Sequence, residues 1–190
     1  MYAATGMGQG RMGLEIYRYP GGDRVLPTLS SKVYCQDNTK WYAELRYNYE
    51  KEETFASSVG KTFLWEGDWS YAVTPVAGVS VGKLQGVSLG MNGRLLHRAF
   101  ELTSSVQYGV CPGRREKNLF SWWELNWQLS EHMYMGCTVQ QLCSFDTRNI
   151  WEPGVQMGVA FKGWSMPLYI FHPMDGGRFF VLGICREWKK

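Results

Sequence analysis

The stretch that decides the fold is residues 118–144, which read NLFSWWELNWQLSEHMYMGCTVQQLCS. Every second residue of the first half is mostly apolar, as at Trp123 and Leu125, whereas intervening positions such as Glu124 and Asn126 become polar. A period of two is typical of a β-strand, because successive side chains leave opposite faces of the pleated chain. The second half repeats the pattern after the turn Ser-Glu-His. The stretch therefore predicts a long β-hairpin.

The length of these strands indicates which class of β-protein to expect. Each spans about ten residues, whereas strands of soluble domains typically have about five or six and tilted membrane-spanning strands have about 9–11. We predict an all-β fold, a closed antiparallel up-and-down transmembrane β-barrel of about twelve strands with alternately short and long turns. The other predicted strands are residues 11–19, 28–36, 40–50, 54–64, 69–82, 84–91, 97–109, 152–162, 165–172 and 178–187, with a turn at Asn92-Gly93.

Composition agrees with this class and excludes two others. The chain has 190 residues and a net charge of +3, which is too small to indicate a nucleic-acid surface. Mean hydropathy is −0.29, and no apolar run approaches the roughly 20 residues of a transmembrane helix. We expect a flexible tail over residues 1–10 and one barrel domain over residues 11–190. The first residues lack the features of a signal peptide, so the chain is either a cytosolic protein or a mature form with an added Met, and we favour the second.

The tryptophans separate a membrane barrel from a soluble lipocalin-like barrel or sandwich. Six of the nine lie at or near strand ends joined by short turns, which we place at residues 37–39, 65–68, 92–96, 130–132 and 163–164. Indole prefers the headgroup zone, so tryptophans at one level predict an aromatic girdle. The predicted girdle residues are Trp41, Trp65, Trp69, Trp127, Trp164 and Trp188.

In a membrane barrel the charged face points inward. The same alternation then directs Leu45, Leu102, Leu125 and Val159 toward lipid. The predicted polar network of the lumen is Glu44, Arg46, Asn48, Glu101, Glu124 and Asn126. Arg46 is long enough to reach Glu101 or Glu124, and these side chains form either a gate in a permeation path or a salt-bridged plug. Barrels of about eight strands are filled by side chains and those of about sixteen hold water, so a barrel of intermediate size allows both.

Catalytic and metal sites are hard to find in this sequence. His97, His132 and His172 are the three histidines, and no G-x-S-x-G motif is present. His172 with Asp175 is the candidate pair for an outer-membrane lipid-modifying enzyme. The five cysteines lack metal-site spacing and are expected to be apolar fillers. We predict no catalytic residue, no metal and no cofactor.

The chain also resembles a family of uncharacterised outer-membrane β-barrel proteins of Gram-negative bacteria. The resemblance covers residues 41–188. It differs from the family pattern in having more cysteines and in Trp123, where a small polar residue is usual. The residues that carry the resemblance are Arg46-Tyr47-Asn48-Tyr49-Glu50, Thr74-Pro75 followed by Gly78, Gly82, Gly86 and Gly90, Trp122-x-Glu124-Leu125, and Tyr169-x-Phe171-x-Pro173. The resemblance implies a bacterial outer-membrane location and a barrel fold, and it implies no activity.

The resulting functional prediction is a narrow or side-chain-plugged, porin-like pore without catalytic activity. The alternatives are an outer-membrane lipid-modifying enzyme and a soluble ligand-binding β-barrel. The expected partners are outer-membrane lipids, ions and small polar solutes, with no nucleic acid and a monomeric state. Lipopolysaccharide is included because the basic run at residues 114–117 suits its phosphates.

Overall fold

The structure is a computed structural model that describes residues 10–20, 28–48, 53–111, 116–144, 148–174 and 177–189. Regular structure in these ranges consists of β-strands. No helix there is long and apolar enough to span a membrane. The strands are β1 (Arg11–Tyr19), β2 (Thr28–Gln36), β3 (Trp41–Tyr47), β4 (Thr54–Lys61), β5 (Phe63–Trp65), β6 (Ser70–Gly82), β7 (Gly86–His97), β8 (Phe100–Cys111), β9 (Glu116–Gln128), β10 (Met133–Ser144), β11 (Arg148–Phe161), β12 (Trp164–Phe171) and β13 (Phe179–Lys189).

The strands form one closed antiparallel barrel. Each pairs with its neighbours in the chain, and β1 pairs with β13 to close the circle. The segments β4 and β5 both pair with β6 in one continuous register, in which Gly60 faces Val76 and Phe63 faces Val73. They are therefore one barrel strand interrupted at Thr62, and the barrel has twelve strands. The predicted fold is confirmed.

Short turns lie at one end of the barrel. They are residues 37–40, 66–69, 98–99, 129–132 and 162–163, and the pair Arg11 and Lys189 lies at the same end. The first turn shows how local polar groups stabilise them. The Thr39 hydroxyl donates to the Asp37 carboxylate at 2.7 Å, and the Trp41 amide donates to it at 2.8 Å. Hydrogen bonding to the ionised form, led by that of Thr39, lowers the pKa of Asp37 below its usual value.

The predicted turn at Asn92-Gly93 is wrong. Strand β7 continues through both residues, and Asn92 pairs with Thr74 on one side and Ser105 on the other. The turn comes later, at Arg98-Ala99, where Arg98 adopts a left-handed φ of 51°. An Asn-Gly dipeptide favours a tight turn only when nothing else satisfies its backbone. Here two neighbouring strands do so, and the inward Asn92 side chain accepts a hydrogen bond from Ser105 at 2.9 Å.

The two faces of the barrel differ sharply in composition. Large apolar side chains on the outer face are exposed by 40–68% in strands from β1 to β13. Leu45, Leu125 and Val159 lie on this face, and Leu102 shares the outward side of β8 with Phe100 while being half-buried. A water-soluble monomer rarely exposes so large a continuous apolar surface. The outer face is therefore that of a membrane barrel.

Candidate functional site in the lumen

The centre of the lumen is occupied by an ion pair on β3. Strand alternation directs Tyr42, Glu44 and Arg46 inward, and the Glu44 and Arg46 side chains are at most 2% exposed. Arg46 Nη2 lies 2.9 Å from Glu44 Oε1, and the Tyr42 hydroxyl donates to Glu44 Oε2 at 2.6 Å. A buried charge is tolerated only when it is paired and hydrogen-bonded, and both conditions hold here.

Arg46 also crosses the lumen. Its Nη1 donates to Gln107 Oε1 at 3.1 Å and its Nη2 donates to Ser105 Oγ at 3.1 Å. Both acceptors lie on β8, which is separated from β3 by β4, β6 and β7 around the wall. The Gln107 amide donates in turn to Ser88 Oγ at 2.7 Å. The Arg46 guanidinium therefore links Glu44 on β3 to Ser105 and Gln107 on β8 across the lumen.

Arg46 contacts Ser105 and Gln107 on β8, whereas Glu101 and Glu124, its partners predicted from the sequence, have other contacts. Glu101 accepts from Arg94 Nε at 2.7 Å, nearer the short-turn end. Glu124 accepts from the Trp122 indole and from the Tyr169 hydroxyl, the latter at 2.9 Å. Alternation gives the face of a residue but not its height in a barrel of tilted strands. Arg94 was missed because residues 92–96 were read as a turn.

The two predicted asparagines lie in different surroundings. Asn48 follows β3 at the rim with a left-handed φ of 56°. Its amide donates to the Leu29 carbonyl at 2.9 Å, and its oxygen accepts from the Glu53 amide at 2.6 Å. It therefore organises a turn instead of joining the lumen network, which corrects the prediction. Asn126 faces inward from β9 beside Gly136.

Aromatic side chains fill the other part of the lumen. Tyr17, Tyr169, Phe171 and Phe179 form a buried cluster with Val181. Trp122 packs against this cluster, with its ring centroid 5.3 Å from that of Tyr169 and 5.6 Å from that of Phe171. These residues come from β1, β9, β12 and β13, which are adjacent around the wall except for β9. Sequence alternation placed Trp122 inward but could not show its partners.

The ionic and aromatic groups meet at the wall of the lumen. Trp122 is the ladder partner of Ser105, the residue that Arg46 contacts. On the opposite side, Lys32 lies 3.3 Å from Glu15. The Tyr17 hydroxyl donates to Glu15 at 3.4 Å. An inward cavity between Ser88, Gln107 and Phe120 measures about 10 Å³, close to the minimum that holds one water.

The six predicted girdle tryptophans lie at the short-turn end, and each is 43–57% exposed. Cations accompany several of them. Lys61 Nζ lies 5.7 Å from the Trp41 ring, and Arg186 lies 5.0 Å from the Trp164 ring and 5.6 Å from the Trp188 ring. A ring of amphipathic indoles with nearby cations suits a headgroup zone. Trp151, which the girdle prediction omitted, is exposed near the opposite end of the wall.

The three histidines have different surroundings in the described residues. His97 stacks on Trp69 at 3.9 Å and His132 contacts the edge of Phe161 at 5.5 Å, so both accompany aromatics at the short-turn end. His172 lies near Phe179, whereas its predicted partner Asp175 lies outside the described residues, as do Arg114 and Arg115. Within the described ranges no cluster of three His, Cys, Asp or Glu could hold a metal, and the five cysteines are free thiols.

Comparison with known proteins supports the fold and does not assign a family. No protein-family model matches the chain, and no curated protein matches it. Many solved structures are similar to the chain, and three of them illustrate the likeness. KdgM porin aligns with a TM-score of 0.56 at 9% identity, over 93% of this chain and 98% of that one. KdgM porin in complex with disordered oligogalacturonate aligns with a TM-score of 0.55 at 9% identity over the same shares.

The third similar structure has the highest TM-score of the three, 0.64, at 10% identity, covering 94% of this chain and 83% of that chain. It is described as "Unveiling the Mechanism Behind the in-meso Crystallization of Membrane Proteins". At such low identities the likeness concerns architecture alone. Together with the apolar outer face, it supports a closed membrane-type β-barrel whose interior holds the ionic and aromatic side chains described above.

Proposed function

We propose that the chain is an outer-membrane pore for ions and small polar solutes, closed in this conformation by side chains. The observation that carries the proposal is the Arg46 bridge from Glu44 to Ser105 and Gln107, which spans the lumen. A bacterial outer membrane is the membrane in which closed barrels with alternating short and long turns are found. In that membrane the short turns and the predicted girdle face the periplasm.

Small side chains on one part of the wall support a solute path. The inward positions of β4, β6 and β7 are mostly Gly, Ala, Ser and Thr, and Arg46 and Gln107 extend over this surface from β3 and β8. The small inward residues are Thr54, Ala56, Ser58, Gly60, Thr62, Ala72, Thr74, Gly78, Ser80, Ser88 and Gly90. Moving or removing the Arg46 side chain would therefore open space beside a smooth wall without disturbing the aromatic cluster.

The charges of the lumen favour cations once Arg46 is removed. Glu15, Glu44 and Glu124 would then remain in the middle of the lumen, with Lys32, the partner of Glu15, as the cation beside them. Carboxylate-lined constrictions select cations. The acidic oligogalacturonate in one similar structure belongs to that protein, and the carboxylate-rich centre here does not favour the same kind of solute.

Conductance in planar bilayers tests the proposal. The native protein should show small or no conductance, because the bridge occludes the path. Arg46→Ala should show larger, cation-preferring conductance, and Arg46→Ala combined with Glu44→Gln should stay conductive with weaker cation preference. Arg94→Ala is the matched control: it removes an inward arginine that pairs near the short-turn end and should leave the constriction closed.

Two outcomes would contradict the pore. Equal silence of the native protein and both Arg46 variants would show that the aromatic cluster alone closes the lumen. Phospholipid hydrolysis by the native protein in detergent would favour the lipid-modifying enzyme, with His172 as the first residue to replace. Far-ultraviolet circular dichroism of each variant must show folded barrel, because an arginine removed from a buried pair leaves Glu44 uncompensated at a cost of about 3–5 kcal/mol. The double variant avoids that cost.

A further inference from the structure

A polar strip interrupts the apolar outer wall. Ser121, Gln141 and Asn149 point outward from β9, β10 and β11. The Ser121 hydroxyl donates to Gln141 Oε1 at 3.4 Å, and Gln141 Nε2 donates to Asn149 Oδ1 at 3.2 Å. Ser121 is only 3% exposed although its neighbours on the same face point to lipid. Polar groups at a lipid-facing position are costly unless something satisfies them.

Ser121 and Gln141 of this strip line an outward groove of about 380 Å³. Trp123 and Trp151 stand on its two sides, 40% and 54% exposed, and Val106, Leu119 and Val139 complete the apolar lining. The groove is open along the lipid side and is not an enclosed cavity. An apolar lining with one amide and one hydroxyl suits a molecule that has both a hydrocarbon chain and hydrogen-bonding groups.

A cation lies above the groove. Lys117 is exposed on the same outward side of β9, two residues beyond Leu119 toward the long-loop end. Two strand residues correspond to about 7 Å. Toward the long-loop end, the outward positions run from Trp123 and Val139 through the hydrogen-bonded Ser121 and Gln141 to Leu119 and then Lys117, so apolar groups lie deepest, polar groups lie within the groove and the positive charge lies outermost. This is the order of groups in an anionic lipid of the leaflet at that end.

We propose that this groove binds one lipid A group of lipopolysaccharide, with an acyl chain between the two tryptophans and a phosphate at Lys117. The inference rests on the proposed outer-membrane placement, in which the long loops and therefore the groove face the outer leaflet. Gln141 Oε1 keeps a lone pair beyond the one that Ser121 uses. The amide and hydroxyl groups of lipid A acyl chains can donate to it, whereas the ester linkages of a phospholipid can only accept.

Native mass spectrometry of the folded full chain in detergent, titrated with purified lipid A, tests this site. We expect one lipid A to bind. Lys117→Gln should weaken binding about tenfold, the loss typical of one charge-assisted hydrogen bond. Gln141→Leu should weaken it by a similar factor while keeping the wall apolar. Lys61→Gln is the matched control, because Lys61 is an exposed outward lysine at the other end of the barrel, beside Trp41.

Three results would overturn the proposal: phosphatidylglycerol binding as tightly as lipid A, Lys61→Gln weakening binding as much as Lys117→Gln, or no bound lipid A at all. None of them bears on conductance, so the pore and the lipid site can fail separately. Heat-modifiable migration on a gel checks that Lys117→Gln and Gln141→Leu remain folded. Both lie on the outer surface away from the Arg46 bridge, so the conductance of these variants should match that of the native protein.

Discussion

A depth series of arginines along β11 tests which face of the barrel meets lipid. Trp151 and Phe161 mark the two ends of the outward side of this strand, and Met157 lies between them. All three side chains are more than half exposed. In a bilayer the middle position should tolerate a charge far less well than the end position. In water the two positions should behave alike.

The structure gives the expected magnitude. The ten-residue step from Trp151 to Phe161 covers about 34 Å along the strand at about 3.4 Å per residue. With a tilt of about 40° this is about 26 Å along the membrane normal, close to the apolar band of about 25 Å of such barrels. Met157 lies about 10 Å from the Phe161 end, near the midplane. Met157→Arg should therefore cost about 2–4 kcal/mol, and Phe161→Arg about 0–1 kcal/mol.

The assay is reversible urea unfolding in phospholipid vesicles, followed by tryptophan fluorescence. The measured quantity is the free energy of unfolding of each variant relative to the native chain. Met157→Leu is the control, because an apolar exchange of similar volume should cost less than about 1.5 kcal/mol. Equal losses for Met157→Arg and Phe161→Arg would refute the membrane placement of this wall and favour the soluble ligand-binding barrel.

Three further predictions concern packing, electrostatics and the fold. Gly158→Ala should lower the free energy of unfolding by about 1–3 kcal/mol, because a Cβ there would overlap the Tyr134 ring. Urea unfolding measures this loss, and adding Tyr134→Ala to the same chain should recover part of it. Glu101→Gln should lower the free energy of unfolding by at most about 1 kcal/mol, since the ion pair of Glu101 with Arg94 is one-third exposed, and this loss should shrink in high salt. A larger loss that does not depend on salt would mean that the pair is effectively buried. Far-ultraviolet circular dichroism in detergent should show strand and little helix, and a mainly helical spectrum would contradict the barrel.

The parts of the fold that follow from local sequence were predicted closely. Strands β1 and β2 begin and end where the sequence places them, because clear alternation there is bounded by turn residues. The weak point was β7, where Asn92-Gly93 suggested a turn and the structure has an uninterrupted strand. Turn propensity is a local preference of the backbone. Ladder bonds from two neighbouring strands outweigh it, and such bonds between distant segments cannot be read from the dipeptide.

The lumen was predicted in composition but not in pairing. Glu44, Arg46, Glu101 and Glu124 occupy inward positions of their strands, and their joint role as one polar network stays a prediction. Their partners depend on strand tilt and on how far around the wall each residue lies. The resulting height difference places Ser105, not Glu101, opposite Arg46. A small polar residue of this kind carries no sequence signal that distinguishes it from any other inward serine.

The Arg46–Glu44 pair fits the proposed pore better than a purely stabilising role. Removing two charges from water costs several kcal/mol for each ion, and replacing such a pair by well-packed apolar groups is often neutral or stabilising. Elsewhere around the wall, strands β9 and β12 already fill their part of the lumen with Trp122, Tyr169 and Phe171. These side chains carry no charge and therefore no such desolvation cost. A barrel that needed only to be filled could continue that cluster across to β3. Instead it has a long charged side chain, held by Glu44, Ser105 and Gln107, above a wall of small residues, which is the arrangement expected under the proposed narrow pore.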